Sequence, residues 1–451
     1  MPRVQCHKES SSQGQASGYN HRVGRHHRGP ARDSATIGWR VDQLTERRVL
    51  SVTGIECVAG ESYVELRARL SGEDLDGFEL WFRYPTSCSD AVCACGDPFV
   101  AALLLPVMAR GAALRVEGPV SSRMMQGVGT FMDVICGWWP EFEHVAVEAD
   151  ETDVVRSTPD LGFVASSFSG GVDSFYTLLK NEHSDLPRQE KISRLLFIHG
   201  YDIALDRADF HRAVVDRLEV VAKACDKELI QVSTNARQLA GEPVTWGRYH
   251  ATVLIAVTLG LQGRLRRLYI PASYPYADLF PWGSHPRTDP LWSTESLEII
   301  HDGCEATRVE KVLAYVSKSQ VALDNLRVCW ESQKGMYNCG VCEKCMRTKL
   351  NLEIAGVLHK AGALDSTLRY KDVKKMRVYG NHAERFARDN LQGLIAHGGD
   401  PRLIKALRKA LSPWSRSGRK QFRRKLTRPV ENAFKRMLRP LAGWVGQAHD
   451  G

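Results

Sequence analysis

Gly162-Phe163-Val164-Ala165-Ser166-Ser167-Phe168-Ser169-Gly170-Gly171-Val172-Asp173-Ser174 is the stretch that decides how this chain is read. Its first seven residues have the composition of a short strand, residues 172–180 have the spacing of a helix, and two glycines stand at the junction. A Gly-Gly turn lets the backbone approach an anion closely, and the first N–H groups of a helix lack partners at the positive end of its dipole. The hydroxyls of Ser169 and Ser174 add donors, and Asp173 offers a carboxylate to a magnesium ion that would share a phosphate's charge. From these residues alone a plainer reading stays open: a Ser/Gly turn in which Asp173 and Ser174 cap the helix.

Downstream the apolar runs alternate between strand and helix. Strands at 162–168, 195–199, 228–232 and 268–272, with helices near 172–182, 207–225 and 249–262, predict an α/β domain built on a parallel, doubly wound sheet. Ligands of such sheets gather at the carboxyl ends of the strands, which would bring His199, Tyr201, Asp202, Ser233, Thr234 and Ser273 to one crevice. Near the start of the third helix, Arg248 is expected to face a phosphate and His250 a substrate, with ordinary helix-terminal contacts as the alternative. Residues 273–295 carry four prolines among aromatics, which forbids a regular element and predicts a rigid loop at the strand ends. Tyr274, Tyr276 and Trp282 would stack a flat ring there, and Asp278, His285, Arg287 or Asp289 would contact its polar groups; a packed structural loop is the competing reading.

Twelve cysteines without an export signal point to thiols or metal ligands rather than disulfides. Cys329, Cys339, Cys342 and Cys345 fall within seventeen residues, and two overlapping C-x2-C steps let thiolates converge on one tetrahedral ion, with Gly340 in the turn between the first two. Zn²⁺ is the expected occupant, an iron–sulfur cluster the alternative. Four protein ligands leave no open position, so the role is structural. Cys88, Cys93, Cys95 and Asp97 form a second grouping whose spacing matches no metal site.

The hexapeptide Ser169 to Ser174 resembles the Ser-Gly-Gly-x-Asp-Ser loop of the ATP pyrophosphatase (PP-loop) superfamily. Taken with Cys329-x9-Cys339-Gly340-Val341-Cys342-x2-Cys345-x-Arg347, the region 160–365 is similar to 7-cyano-7-deazaguanine synthase and its extended relatives, some of which occur in anti-phage defence operons. The resemblance implies an adenine nucleotide alpha-hydrolase-like fold, with ATP on Ser169, Gly170, Gly171, Val172, Asp173 and Ser174, and zinc on the four cysteines. It implies adenylation of a substrate carboxylate, such as a deazaguanine-type acid, with release of pyrophosphate. An amine then gives an amide, a nitrile after a second adenylation, or a conjugate to a protein or small molecule. Asp173, Ser174 and Arg248 are the residues expected in the reaction, with Mg²⁺ assisting; His250, Tyr274, Asp278 and His285 are expected at the substrate. The family's Asp-Tyr-Ser-Gly-Tyr-Pro-Asp segment has no clean counterpart in residues 277–290. Two other functions stay open: modification of tRNA, also found in this superfamily, and a zinc-stabilised ATP sensor or scaffold without turnover.

Around this core, residues 1–35 read as disordered, 36–155 as an added α+β domain with its own core, and 366–451 as a helical extension, basic from about 401. Residues 401–451 hold 14 Lys and Arg against Glu431 and Asp450, and residues 1–34 hold six against two acids, so the net charge of +9 belongs to the ends and the body is mildly acidic. Leu403, Leu407 and Leu411 share one helical face among these cations, a pattern that suits an RNA acceptor or other nucleic acid, a membrane surface, or a helix lying on the body. With 43% hydrophobic residues, no apolar run of 18 and no signal sequence, the expected location is the cytoplasm.

Overall fold

The computed structural model describes residues 48–152, 162–329, 331, 336–376, 378 and 380–412, all within one compact unit. The segments 1–35 and 413–451, read above as disordered and as a basic tail, lie outside the described residues.

The quoted strand and helix are β6 (Phe163–Ser167) and α3 (Val172–Glu182). They open a run of β7 (Arg194–His199), α4 (Ala208–Ala224), β8 (Glu228–Thr234), α5 (Trp246–Leu259), β9 (Leu265–Pro271) and β10 (Glu298–Asp302). These five strands are parallel and lie in the order β10-β9-β6-β7-β8. Successive residues of each strand enter opposite cores: Leu196 and Ile198 face one, Leu195 and Phe197 the other. Both faces are therefore covered, as near-continuous apolar strands require. The chain runs β6, β7, β8 in one direction and then returns to place β9 on the far side of β6. The strand order thus reverses at the carboxyl end of β6, where a doubly wound sheet opens its crevice.

Ahead of this run come β1 (Val49–Ala59), β2 (Tyr63–Ser71), β3 (Glu79–Pro85), α1 (Asp97–Met108), β4 (Ala113–Ser121), α2 (Ser122–Trp138) and β5 (Val147–Thr152). They do not enclose a core of their own. β3 pairs antiparallel with β8, Phe82 opposite Thr234 and Arg83 opposite Ser233, and this joins the halves into one ten-stranded, mostly parallel sheet ending β8-β3-β2-β1-β4-β5. One cluster runs from Leu50 and Phe82 through α1 to Tyr249 and Val257 of α5. Apart from Asp97 at its start, α1 is apolar, and it is buried along its whole length because it lies against the joint sheet and α5. Two tyrosines lock that contact: Tyr84 Oη donates to Val257 O at 2.9 Å, and Tyr249 Oη donates to Ala102 O at 2.6 Å.

Beyond β10 the chain is helical: α6 (Arg308–Ala314), α7 (Gln320–Asn325), α8 (Glu343–Ile354), α9 (Tyr370–Lys375), α10 (Gly380–Ala396) and α11 (Pro401–Leu411). The last four share a core of their own. Leu403 and Leu407 of α11 are buried in it against α9 and α10, so the face that suited a membrane is occupied by the protein itself. Among the described residues, no helix is long and apolar enough to cross a membrane.

Candidate anion-binding crevice and four-cysteine centre

Gly170 has φ +75°, a left-handed conformation that only glycine adopts without strain, and a Cβ there would stand 3.1 Å from Leu218 and 3.3 Å from Arg327. Gly171 N-caps α3 in extended conformation, and no side chain caps the helix. Ser174 Oγ instead donates to Gly171 O at 3.0 Å, and Ser169 Oγ accepts from Gly171 N at 3.4 Å. The serines thus shape the turn and leave the helix N-terminus to another acceptor.

Asp173 does neither of the things expected of it. Its carboxylate is ion-paired with Arg308 Nη2 and lies 3.3 Å from Lys311 Nζ, both on α6. Burial alone would raise the Asp173 carboxyl, but these two charges outweigh it and hold it below the usual carboxylate range. A Mg²⁺ ion at Asp173 would have to displace cations already in place, so the residue does not fit that role.

The wall around the loop is cationic. Arg347 of α8 is 4% exposed, its guanidinium 3.9 Å over the Phe386 ring, with Arg308 4.4 Å over the same ring. Burial first, and then the Arg308 charge, lower the Arg347 pKa to about 10. Arg327, 7% exposed, donates its backbone N–H to Gly170 O at 2.7 Å and reaches Ser169 O with Nη1 at 3.5 Å. The buried Nε–H groups of Arg308, Arg327 and Arg347 have no acceptor among the described residues. An unsatisfied buried donor costs about 1–3 kcal/mol, and more when charged, and an anion in the crevice would supply acceptors for these three. Lys344 of α8 is exposed; desolvation by its neighbours and the Arg347 charge lower its pKa while Asp202 opposes them.

Arg248 lies elsewhere. Its guanidinium pairs with Glu141 at 2.6 Å, donates to Pro243 O at 3.0 Å and stacks 4.8 Å over Trp139, so it fastens α5 to the N-terminal half. Ser233 and Thr234 are likewise absorbed by the junction with β3, where Thr234 Oγ1 donates to Trp81 O at 2.8 Å. His199 stacks on His211 with ring centres 4.0 Å apart and contacts Ala204 O.

The proline-rich loop is rigid because other elements brace it. Trp292 packs edge-on to Phe131 of α2 at 4.9 Å, worth about 0.5–1.5 kcal/mol beyond its burial. Arg123, also on α2, binds Glu295 Oε1 through its backbone N–H at 2.8 Å and Thr294 O through Nη1 at 3.0 Å. His285 is buried against Trp138, and its Nδ1 accepts from Arg287 N at 3.0 Å, so it holds its own loop. Asp289 accepts from Ser284 Oγ at 2.7 Å and pairs with His301 Nδ1 at 2.7 Å.

The other end of the loop is aromatic. Tyr274 stacks on Phe386, and its hydroxyl lies 2.5 Å from His382 Nδ1; Trp282 lies 4.4 Å from His382 and 5.4 Å from His250. Tyr276 is exposed, and Asp278 is paired with Arg385 at 2.9 Å. His250 contacts Trp246 O; burial lowers its pKa against the pull of Asp289 and Asp202. His250 and Tyr274 therefore meet in one aromatic wall with His382 and Phe386 of α10, which sequence reading did not single out. Neither did it single out Arg308, Lys311, Arg327 or Lys344. The one local signal was the capping box at Thr307 and Glu310, which marks the start of α6 but says nothing of Asp173.

The four cysteines do converge. Their Sγ atoms lie within 4.8 Å of one another, with Cys329 to Cys342 and Cys339 to Cys345 both at 3.9 Å. A tetrahedral zinc with bonds of about 2.3 Å sets sulfurs about 3.8 Å apart, so the residues fit the ion. Backbone N–H groups of Cys342 and Cys345 point to the Sγ of Cys339 and Cys342 at 3.3 and 3.5 Å, and the Cys342 thiol is drawn down to about 5 by its bonds to Cys345 and its neighbours. No other group of possible metal ligands converges among the described residues, the Cys88, Cys93, Cys95 and Asp97 set included; there Cys95 Sγ accepts from Gln262 at 3.2 Å.

The centre is next to the loop at both its ends. Arg327 stands two residues before Cys329, and α8, N-capped by Cys342, carries Arg347, whose charge acts on Asp173. No family model matches this chain, and neither a curated protein nor a solved structure matches it.

Proposed function

We propose that the chain is a PP-loop ligase that adenylates a substrate carboxylate with ATP, releases pyrophosphate, and passes the acyl group to an amine. The observation that carries this reading is the uncapped N-terminus of α3 near three buried guanidinium groups whose Nε–H donors have no acceptor among the described residues. A triphosphate supplies acceptors of the right charge, and fixed donors stabilise charge as it develops without reorganisation. An oxygen of the substrate carboxylate attacks the α-phosphorus, the bond to the bridging oxygen breaks, and pyrophosphate leaves with the electron pair. Attack of an amine on the acyl-adenylate then expels AMP, giving an amide, a conjugate or, after a second adenylation, a nitrile. Arg308, Arg327 and Arg347 take the part in charge stabilisation that sequence reading had given to Mg²⁺ and Arg248, and no step is assigned to a metal at Asp173. The zinc is structural and holds Arg327 and α8 at the loop. His250, Tyr274, Trp282 and His382 form the wall against which a flat acid, such as one of deazaguanine type, would lie.

The test is pyrophosphate–ATP exchange by the zinc-loaded full chain with a panel of heteroaromatic acids. Acid-dependent label in ATP, with AMP as the nucleotide product once an amine is added, is the expected result. Tight ATP binding with no exchange for any acid would leave a nucleotide-binding scaffold and overturn the ligase reading.

A further inference from the structure

We propose that α9 and α11 together form a binding face for single-stranded nucleic acid, separate from the crevice and independent of the ligase reading. The two helices pack on each other through Val373 of α9, Met376 just after it, and Leu403, Ala406, Leu407 and Ala410 of α11. Their outer surfaces carry Lys371, Lys374 and Lys375 on one helix and Lys405, Arg408 and Lys409 on the other, all exposed. None of the six has an acidic partner among the described residues. The two acids in these segments, Asp372 and Asp400, are already paired with Arg369 at 2.8 Å and Arg402 at 2.9 Å. Like charges gathered at this density repel one another unless a polyanion neutralises them, and a row of phosphates does so with release of counterions.

The observation that selects the partner is Tyr370, 46% exposed at the start of α9 and set in the chain between Arg369 and Lys371. A large aromatic standing in solvent among cations is a platform on which an unpaired base stacks. An anionic membrane would use the same cations but would also need apolar side chains to insert. The leucines of α11 are buried in the helical core, so the face presents charge and one flat ring. The sequence continues beyond α11 with ten further Lys and Arg against Glu431 and Asp450, which extends the same charge along the chain.

The experiment is fluorescence anisotropy of the full-length, zinc-loaded chain with a labelled 20-nucleotide RNA, the matching single-stranded DNA and the duplex, across a salt series. Vesicles of phosphatidylcholine with and without phosphatidylserine are measured alongside. Single strands should bind more tightly than the duplex, with RNA against DNA showing which sugar is preferred. Lys405→Ala/Arg408→Ala/Lys409→Ala should flatten the plot of log affinity against log salt by about 2, the value for three phosphates on a single strand. Tyr370→Ala should weaken single-strand binding about tenfold and Tyr370→Phe should restore it. All four substituted positions are exposed, so zinc content and melting point should match the parent chain. An unchanged affinity and salt slope in the triple variant would overturn the proposal, because binding would then belong to other parts of the chain. Equal binding of duplex and single strand, or binding to phosphatidylserine vesicles alone, would overturn it as well.

Discussion

The backbone N–H of Arg327 donates to the carbonyl of Gly170 at 2.7 Å, joining the segment that leads into the four-cysteine centre to the left-handed residue of the Ser-Gly-Gly turn. The four-cysteine cluster and the Ser-Gly-Gly turn are thereby one mechanical unit, although 157 residues separate the two bonded residues in sequence.

Zinc removal should therefore act on the loop. In zinc-finger peptides the ion contributes about 10 kcal/mol or more of apparent binding energy at neutral pH. Losing even about 3 kcal/mol of it should lower the melting midpoint by about 3–4 °C. Chelation, or Cys342→Ser, should also weaken ATP binding in a titration at a temperature where the chain stays folded. Unchanged affinity in the metal-free chain would separate the two sites.

Arg327→Met keeps that backbone bond and deletes the guanidinium. ATP affinity measured by calorimetry should fall about tenfold, the effect of losing one charge-assisted contact of about 1.5 kcal/mol, while the melting point moves little.

Asp173→Asn leaves Arg308 and Lys311 without their counter-charge. Breaking a buried pair in this way costs about 3–5 kcal/mol. The same change makes the crevice more positive, so inorganic pyrophosphate should raise the melting point of the variant more than that of the parent. Because the Asp173 pKa is depressed, its contribution to stability is full above the ordinary carboxylate range and is lost as pH falls through the folded value. In the variant, the acid limb of the stability profile should be shallower.

His301 works with the opposite sign. Burial would lower its pKa from 6.5, but the hydrogen bond to Asp289 and the neighbouring Cys304 raise it to about 9. Its stabilisation is full below about pH 6.5 and disappears as pH rises through about 9, an effect on the order of 3 kcal/mol. Urea midpoints of the parent chain should fall across that window, and those of His301→Gln should not follow.

Gly260 lies where the two halves of the sheet meet over α5. A Cβ there would stand 2.0 Å from Tyr84 Oη, the hydroxyl bonded to Val257 O. Gly260→Ala should cost about 1–3 kcal/mol through overpacking. Since both halves share one core, circular dichroism and tryptophan fluorescence should still report a single transition. Two separated transitions would show that residues 48–152 fold on their own.

Helix α3 was legible to within two residues at its end, because Val172 to Glu182 carries its own apolar spacing and is preceded by two glycines. The four parallel strands before the proline-rich loop were legible within a few residues, since strands buried on both faces read as continuous apolar runs. The convergence of the cysteines followed from spacing, because three of the four ligands lie within seven residues. The alternation of β3 was equally plain, yet alternation states only that one face is buried and never which strand lies alongside. Only the fold shows Phe82 opposite Thr234, and with that pairing the separate N-terminal core disappears.

Charge was the least legible quantity. Asp173 looked like a metal ligand and Arg248 like the phosphate cation because each lay next to the expected loop or helix start. Arg308, Lys311 and Arg347, 135 to 174 residues downstream of Asp173, reach its charge only because α6 packs on α3 and α8 packs on α6. By itself the sequence determined the local elements, the turn and the metal set, all of which depend on neighbours a few residues apart. The tertiary structure decided which cations face the turn, since Coulomb interactions follow distance in space and are indifferent to distance along the chain.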